Sequence, residues 1–199
     1  MKLDGLRIGF AITGSHCTLR EITVVMKHLS EQGAEVTPIL SYAVERTDTR
    51  FGKAAAWQQG FYEISQKEPI RTIPEAEAIG PQKLLDCLLI APCTGNTLAK
   101  LANGITDTPV LMAAKAHLRN LRPLVIAVST NDGLGLNARN IGTLLGSKNI
   151  FFVPFGQDSP SSKANSLVAH MGKIPETILM ACQGIQLQPL LVEYHSGNS

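Results

Sequence analysis

The sequence predicts an α/β protein, an open doubly wound parallel sheet with helices on both faces. Three observations carry that expectation: short apolar runs recur along the chain, segments with helical spacing lie between them, and the runs end in turn or cap signals. Strands of a parallel sheet are covered on both faces and so are apolar throughout, whereas a strand with one wet face alternates. Alternation of the two segment types means βαβ units joined by right-handed crossovers, the Rossmann- or flavodoxin-like arrangement.

The expected strands are 6–12, 36–40, 87–91, 110–113, 124–128 and 150–153. Between them, Leu19, Ile22, Met26 and Leu29 share one helical face, as do Leu98, Leu101 and Ile105, and Ile141, Leu144 and Leu145. Gly104 stands where the second of these helices should stop. Residues 42–85 run long between the second and third clear strands and include a predicted helix at 53–66; an insertion of that length usually serves a site or an interface. After residue 153 come two short helical patterns, 163–171 and 175–182, the apolar stretch 189–192, and a terminus at 197–199 that should fray. The organisation expected is one domain over 1–199, with its core at 6–153 and C-terminal helices and a tail at 154–199.

Composition excludes several functions. Of 199 residues, 44% are hydrophobic and 17% charged, with a net charge of +2 and no cluster of either sign, so no basic face for nucleic acid is available. Aromatic residues make up 5%, too few for platforms that stack single-stranded bases. The N-terminus lacks the pattern of a secretory signal and no apolar run reaches membrane-spanning length, so a cytoplasmic protein is expected. Four cysteines, Cys17, Cys87, Cys93 and Cys182, form no C-x-x-C pair, so neither a disulfide framework nor a metal site is expected.

In an open α/β sheet, ligands bind beyond the carboxyl ends of the strands. Here those ends deliver Thr13-Gly14-Ser15, Ser41-Tyr42, Pro92-Cys93-Thr94-Gly95-Asn96-Thr97 and Ser129-Thr130-Asn131-Asp132-Gly133. Hydroxyls and free N–H groups at helix starts make a site for an anion. The opening loop is a degraded G-x-G-x-x-G running from Gly9 to Gly14, with Ala11 at the second glycine position. Ser41 stands where a dinucleotide fold keeps an acid for the ribose. A serine cannot grip a ribose as a carboxylate does, but it donates to a phosphate oxygen, so Gly14, Ser15 and Ser41 read as a cradle for the terminal phosphate of a mononucleotide. Thr94 or Asn96 caps the following helix; with Thr97 they exceed what capping needs, so some of them should face a polar ligand. Cys93 reads as a small residue packed against a ring. His16, directly after the phosphate loop, caps, touches phosphate or faces solvent.

The stretch 91–107, APCTGNTLAKLANGITD, resembles the P-A-S-A-N-T-(I/L)-x-K-(I/L)-A-N-G-I-x-D segment of the homo-oligomeric flavin-containing cysteine decarboxylase family. The likeness covers about 6–153. It implies bound FMN and an oligomer, with Gly14, Ser15 and Ser41 at the phosphate and Pro92, Cys93, Thr94, Asn96 and Thr97 beside the ribityl chain and ring. Thr13, Ser129 and Thr130, from the strand ends, complete the expected cofactor-binding set. Two departures argue against a decarboxylase. The five histidines are His16, His28, His117, His170 and His195, none of them between Ser41 and Pro92, where the decarboxylases carry one. Their P-x-M-N-x-x-M-W segment is replaced by Val128-Ser-Thr-Asn131-Asp-Gly-Leu-Gly135, which keeps only the asparagine.

Within the family, RIGFAITGSHCT, TDTRFGKAAAW and STNDGLGLNARNIGTLL resemble the flavin-type subunit of a two-subunit oxidoreductase that forms a pyridine dicarboxylate in the mother cell of sporulating bacteria. That likeness implies a partner A subunit of the NAD(P)-dehydrogenase type and a dicarboxylate substrate. Arg46, Arg50 and Arg139 are the cations considered for its carboxylates, Arg50 and Arg139 first; Asn131 and Asn137 are the polar candidates beside them. The alternatives are an FMN-dependent decarboxylase of the same fold, or a non-catalytic scaffold that activates the A subunit.

Overall fold

The computed structural model describes residues 2–192; the predicted fraying at 197–199 lies outside them. Among the described residues, fifteen strands and helices follow one another as β1 (Arg7–Ile12), α1 (Leu19–Glu31), β2 (Glu35–Leu40), α2 (Tyr42–Arg46), α3 (Ala54–Ser65), α4 (Ile73–Glu77), β3 (Cys87–Cys93), α5 (Gly95–Ala102), α6 (Pro109–Leu118), β4 (Leu124–Thr130), α7 (Ala138–Leu145), β5 (Ile150–Phe152), β6 (Phe155–Ser159), β7 (Lys163–Ala169) and α8 (Ile174–Ala181). The seven-stranded sheet runs β2-β1-β3-β4, where it meets both β5 and the β7-β6 pair. All pairings from β2 to β5 are parallel. The order reverses between β1 and β3, which makes the carboxyl edge of those strands the place for a ligand.

The parallel strands are buried on both faces: every residue of β3 is enclosed, as are all but the first of β1 and all but the last of β4. Gly9 in β1 is required by packing. A Cβ there would run into Leu85 and would lie 2.8 Å from Leu88 Cδ1 and 3.3 Å from Ile39 Cδ1. The first glycine of the opening motif thus serves the core. Helix α5 ends as its sequence suggests: Gly104 takes φ +70°, and the amides of Gly104 and Ile105 donate to the carbonyls of Leu101 and Lys100 at 3.2 and 2.9 Å. Ile105 itself falls beyond the helix and is exposed.

Two expected elements are of another type. Residues 110–113, expected as a strand, lie in α6, where Thr108 Oγ1 accepts from the Leu111 amide at 3.2 Å and Pro109 occupies the first turn. Both kinds of segment produce a short apolar run when most of their faces are buried, and α6 buries seven of its ten residues. Residues 163–171, expected as helical, form β7 through Ala169. β5 pairs only with Leu124–Ile126 of β4, which leaves Ser129 and Thr130 as an open edge; β7 covers it antiparallel, Val168 against Ser129 and Leu167 against Thr130. Next to it, β6 completes a hairpin. The C-terminal part is therefore a hairpin followed by a helix.

The insertion at 42–85 covers the outer edge of β2: Ile70 accepts from the Leu40 amide and donates to Pro38 O, both at 2.9 Å. No helix among the described residues is long and apolar enough to cross a membrane.

His117 on α6 is 1% exposed and donates from Nε2 to Pro123 O at 3.0 Å. Burial pushes its imidazole down to about 4. The unfolded chain takes up this proton near the ordinary histidine value and the folded chain only near 4. Stability is therefore full above about pH 6.5 and falls toward pH 4, by about 3 kcal/mol from this group alone. Urea denaturation at pH 7.5 and pH 4.5 tests it: the native protein should lose more stability between the two than His117→Gln does.

Candidate functional site

Three strand ends meet in one layer above the sheet, and side-chain hydroxyls join them. Thr13, 1% exposed, donates from Oγ1 to Pro92 O at 2.6 Å and accepts the Thr94 amide at 3.0 Å, which fixes the end of β1 to the end of β3. Ser15 Oγ and Ser129 Oγ lie 2.8 Å apart, which links the β1 loop to β4. Thr94 caps α5, with Thr97 beside it: the two hydroxyls are 3.1 Å apart and the Thr97 amide donates to Thr94 Oγ1 at 3.4 Å.

A cavity of about 780 Å³ opens on this layer. Its floor comes from the β1 loop, the start of α5 and the end of β4; the β6–β7 hairpin roofs it with Asp158, Lys163, Ser166 and Val168. One wall is a rigid polar chain. Asp132 Oδ1 accepts from Thr130 Oγ1 at 2.5 Å, Asn137 Nδ2 donates to Asp132 Oδ2 at 2.8 Å, and Asn140 Nδ2 donates to Asn137 Oδ1 at 2.8 Å. Gly95 lies against it: a Cβ there would come within 2.6 Å of Asn137 Nδ2 and Thr130 Oγ1.

The charged lining residues are Glu21, Asp132, Asp158 and Lys163, and Lys163 Nζ pairs with Asp158 Oδ2 at 2.7 Å. Burial raises the Glu21 carboxyl above the ordinary carboxylate value, partly offset by the charge of His170. Among the described residues no group of three or more His, Cys, Asp or Glu is placed to hold a metal ion.

Of the predicted residues, Gly14, Ser15, Thr94, Asn96, Ser129, Thr130 and Asn131 line the cavity. Thr13 and Thr97 are buried and bond within the layer, Thr13 across to β3 and Thr97 to Thr94. Pro92 and Cys93 are buried in β3, and burial pushes the Cys93 thiol well up, so it stays protonated and serves packing. Ser41 precedes α2 and is 9% exposed; its Oγ has no hydrogen-bond partner among the described residues. Its amide donates to Ile12 O at 3.0 Å, which holds it at the end of β1, but it is not among the residues that line the cavity.

The structure does not bring Arg50 or Arg139 to the cavity. Arg50 is exposed in the turn before α3 and lies over the Phe51 ring at 4.9 Å; Arg139 is exposed on α7. The segment around Arg50 is spent on a local fold, with a Thr49–Gly52 turn and Asp48 Oδ1 accepting from the Ala54 amide at 2.8 Å to start α3. Sequence reasoning placed Asp132 at a strand end without a role and missed Glu21, Asp158 and Lys163. The last two came into reach only with the hairpin, which helical spacing concealed.

Fold and site together define a flavin-type α/β protein, and comparison agrees: the chain matches the family model described as Flavoprotein over residues 1–177 and belongs to that family. It is 52% identical over 197 residues to the B subunit of dipicolinate synthase from Bacillus subtilis (strain 168), covering 99% of this chain and 98% of that protein. The crystal structure of the same synthase's B subunit from Bacillus halodurans C superposes with a TM-score of 0.90 at 49% identity, covering 98% of this chain and 100% of that one. The FMN binding protein AtHal3 shares the fold, with a TM-score of 0.64 at 18% identity over 87% of this chain and 95% of that one.

Removing the Thr13 hydroxyl in Thr13→Val leaves a buried carbonyl and a buried amide without partners and should cost about 2–4 kcal/mol in urea denaturation. Thr13→Ser, which keeps the oxygen, should lose much less. Equal losses would show that methyl packing, and not the link between strand ends, is what matters.

Proposed function

We propose that this chain is the FMN-binding B subunit of a dipicolinate-forming oxidoreductase, supporting the oxidation of dihydrodipicolinate, or its hydrated precursor, to dipicolinate during sporulation. The partner is an A subunit of the NAD(P)-dehydrogenase type, and the pair works in the cytoplasm of the mother cell. The observation that carries the reading is the buried, unpartnered Ser41 hydroxyl at the end of β2, held to the end of β1 by the Ser41 amide, which donates to Ile12 O at 3.0 Å. A buried hydroxyl without a partner is costly, and a phosphate oxygen removes that cost. The end-to-end likeness to the B subunit of dipicolinate synthase supports the substrate.

The residues fit a flavin. Gly14 and Ser15 line the cavity at the end of β1, where the phosphate would take the Ser15 hydroxyl and the free Ser41 hydroxyl as donors. A volume of about 780 Å³ is in the range of cofactor sites. When bound, FMN supplies the redox step, which no side chain of the cavity can perform. The chain's own part is placement. Thr94, Asn96 and Ser129 line the cavity and would border the ribityl chain and ring, and the Asp132–Asn137 hydrogen bond braces one wall.

Among the described residues Lys163 is the one cation lining the cavity, so a substrate carboxylate pairs with it in place of Asp158. Three carboxylates against one ammonium leave the wall net negative. A dicarboxylate therefore needs further cations, which the A subunit is positioned to supply if it closes the cavity. This is a physical reason for a two-subunit enzyme, and it gives Asn131, exposed at the rim, a place beside the substrate.

Titrating the purified chain with FMN should produce a perturbed flavin spectrum and a raised melting temperature. Ser41→Asp, which sets a carboxylate against the phosphate, should weaken FMN by at least about tenfold and lower the rate of dipicolinate formation with the A subunit in proportion. A rate indifferent to Ser41→Asp, in a chain that has lost FMN, would favour the scaffold reading.

A further inference from the structure

Two exposed leucines stand close together in the loop between β4 and α7. Leu134 is 50% exposed and Leu136 81%. The same loop supplies Asn131, Asp132 and Asn137 to the cavity, so the leucines stand at its rim. Their exposure is built in. The Leu134 amide donates to Asn165 O on the hairpin at 3.1 Å, the Gly135 amide to Asp132 O at 2.9 Å and the Ala138 amide to Gly135 O at 3.1 Å. Gly133 packs so closely on the hairpin that a Cβ there would stand 2.9 Å from Leu167 Cβ. With the Asp132–Asn137 hydrogen bond, these contacts brace the backbone that carries the leucines. An apolar pair held out into water by a braced loop marks a contact surface.

We infer that the β4–α7 loop is the surface on which the A subunit docks, with Leu134 and Leu136 entering an apolar hollow of that subunit while its cations face the cavity mouth. This rests on the two-subunit reading above. The charge around the loop selects the occupant. Glu21, Asp132 and Asp158 share the lining with a single ammonium, Lys163, so the mouth is negative although the whole chain carries +2. Arg20 and Arg139, exposed on α1 and α7, are not part of that lining, so the balance within the mouth stays at three carboxylates to one ammonium.

Two copies of this chain that met through this same face would set those carboxylates against each other, because an isologous contact repeats one patch on both partners. A partner with a basic face meets no such cost, and its cations supply what a dicarboxylate lacks within the cavity. Asn131 and Arg139 are exposed beside the leucines, which gives the surface an apolar centre and a polar border, the usual anatomy of an interface.

The test uses the full chain with FMN, the A subunit of the synthase, and three variants: Leu136→Asp, the double variant Leu134→Ser with Leu136→Ser, and Leu121→Ser. Leu121 is 78% exposed between α6 and β4, at the opposite end of the sheet from the cavity. Affinity for the A subunit is read by calorimetry, FMN affinity by flavin fluorescence, and the mass of the chain alone by light scattering. Leu136→Asp and the double variant should bind the A subunit at least about tenfold more weakly, keep native FMN affinity and melting temperature, and form dipicolinate at the native rate once the A subunit is in excess. Leu121→Ser should behave as the native chain. Rising NaCl should weaken the native pair, because cations of the partner meet a negative mouth. The unchanged melting temperature shows that the variants are folded, and the double variant carries the test if Leu136→Asp does not fold. Loop variants that bind the A subunit with native affinity, or a native association indifferent to salt, overturn the inference and leave the two-subunit reading standing. So does a loop variant that alters the mass of the chain alone but not its affinity for the A subunit, which would assign the surface to contact between copies of this chain. A native chain with no affinity for the A subunit overturns the two-subunit reading itself.

Discussion

The site depends on one buried hydroxyl. Thr13 Oγ1 donates to a carbonyl of β3 and accepts the amide that follows it, so the ends of two neighbouring parallel strands are locked in register at the point where the chain leaves the sheet. The loops that could meet a ligand hang from this point. Gly14 and Ser15 follow Thr13 directly, and Thr94 starts α5 one residue after β3. The adjacent Ser15–Ser129 contact extends the same constraint to β4. Hydroxyl bonds suit this work because they are short and directional, and inside the protein they cost no charge burial.

The ligand region divides into two parts by charge. Around Gly14 stand the Ala43 methyl and the His16 ring, with the Ser15 hydroxyl next in the chain. Across the cavity, Glu21, Asp132, Asp158 and Lys163 present fixed charge from α1, the β4 loop and the hairpin. A mononucleotide with its phosphate at the first part and its ring toward the second would set a reactive ring against titratable groups, one of which burial holds above the ordinary carboxylate value. The hairpin belongs to the sheet and also covers the ligand, because the same strand that covers the open edge of β4 carries Lys163 and Ser166 to the roof.

Much of this was legible in the sequence for a physical reason: parallel strands buried on both faces leave unbroken apolar runs, and the loops after them must carry cap and turn residues. β1 to β5, α1, α3, α5, α7 and α8 follow from that pattern. Gly14 and Ser15 are legible as part of a phosphate cradle after a buried strand, and Thr94, Asn96 and Thr97 because together they exceed what capping requires. What failed was local. Val110 and its neighbours are apolar on most sides whether strand or helix, and the Thr108 cap decides between them. Lys163–Ala169 is a strand because of the edge left open at Ser129, a tertiary fact absent from its own residues. Arg50 and Arg139 flank the segments that carry the likeness, and neither that position nor their charge says which face a side chain will occupy. Pro92, Cys93 and Thr97 belong to the same motif as Asn96, but β3 and the first turn of α5 bury them.

The central claim is that a phosphorylated flavin occupies the carboxyl edge of β1 and β3. A crystal structure of the chain grown with FMN tests it most directly. The account predicts the phosphate within hydrogen-bond distance of Ser41 Oγ and the Gly14–Ser15 backbone, with the ring under the β6–β7 hairpin. Density for FMN elsewhere, with Ser41 Oγ bonded to the protein itself, would contradict it.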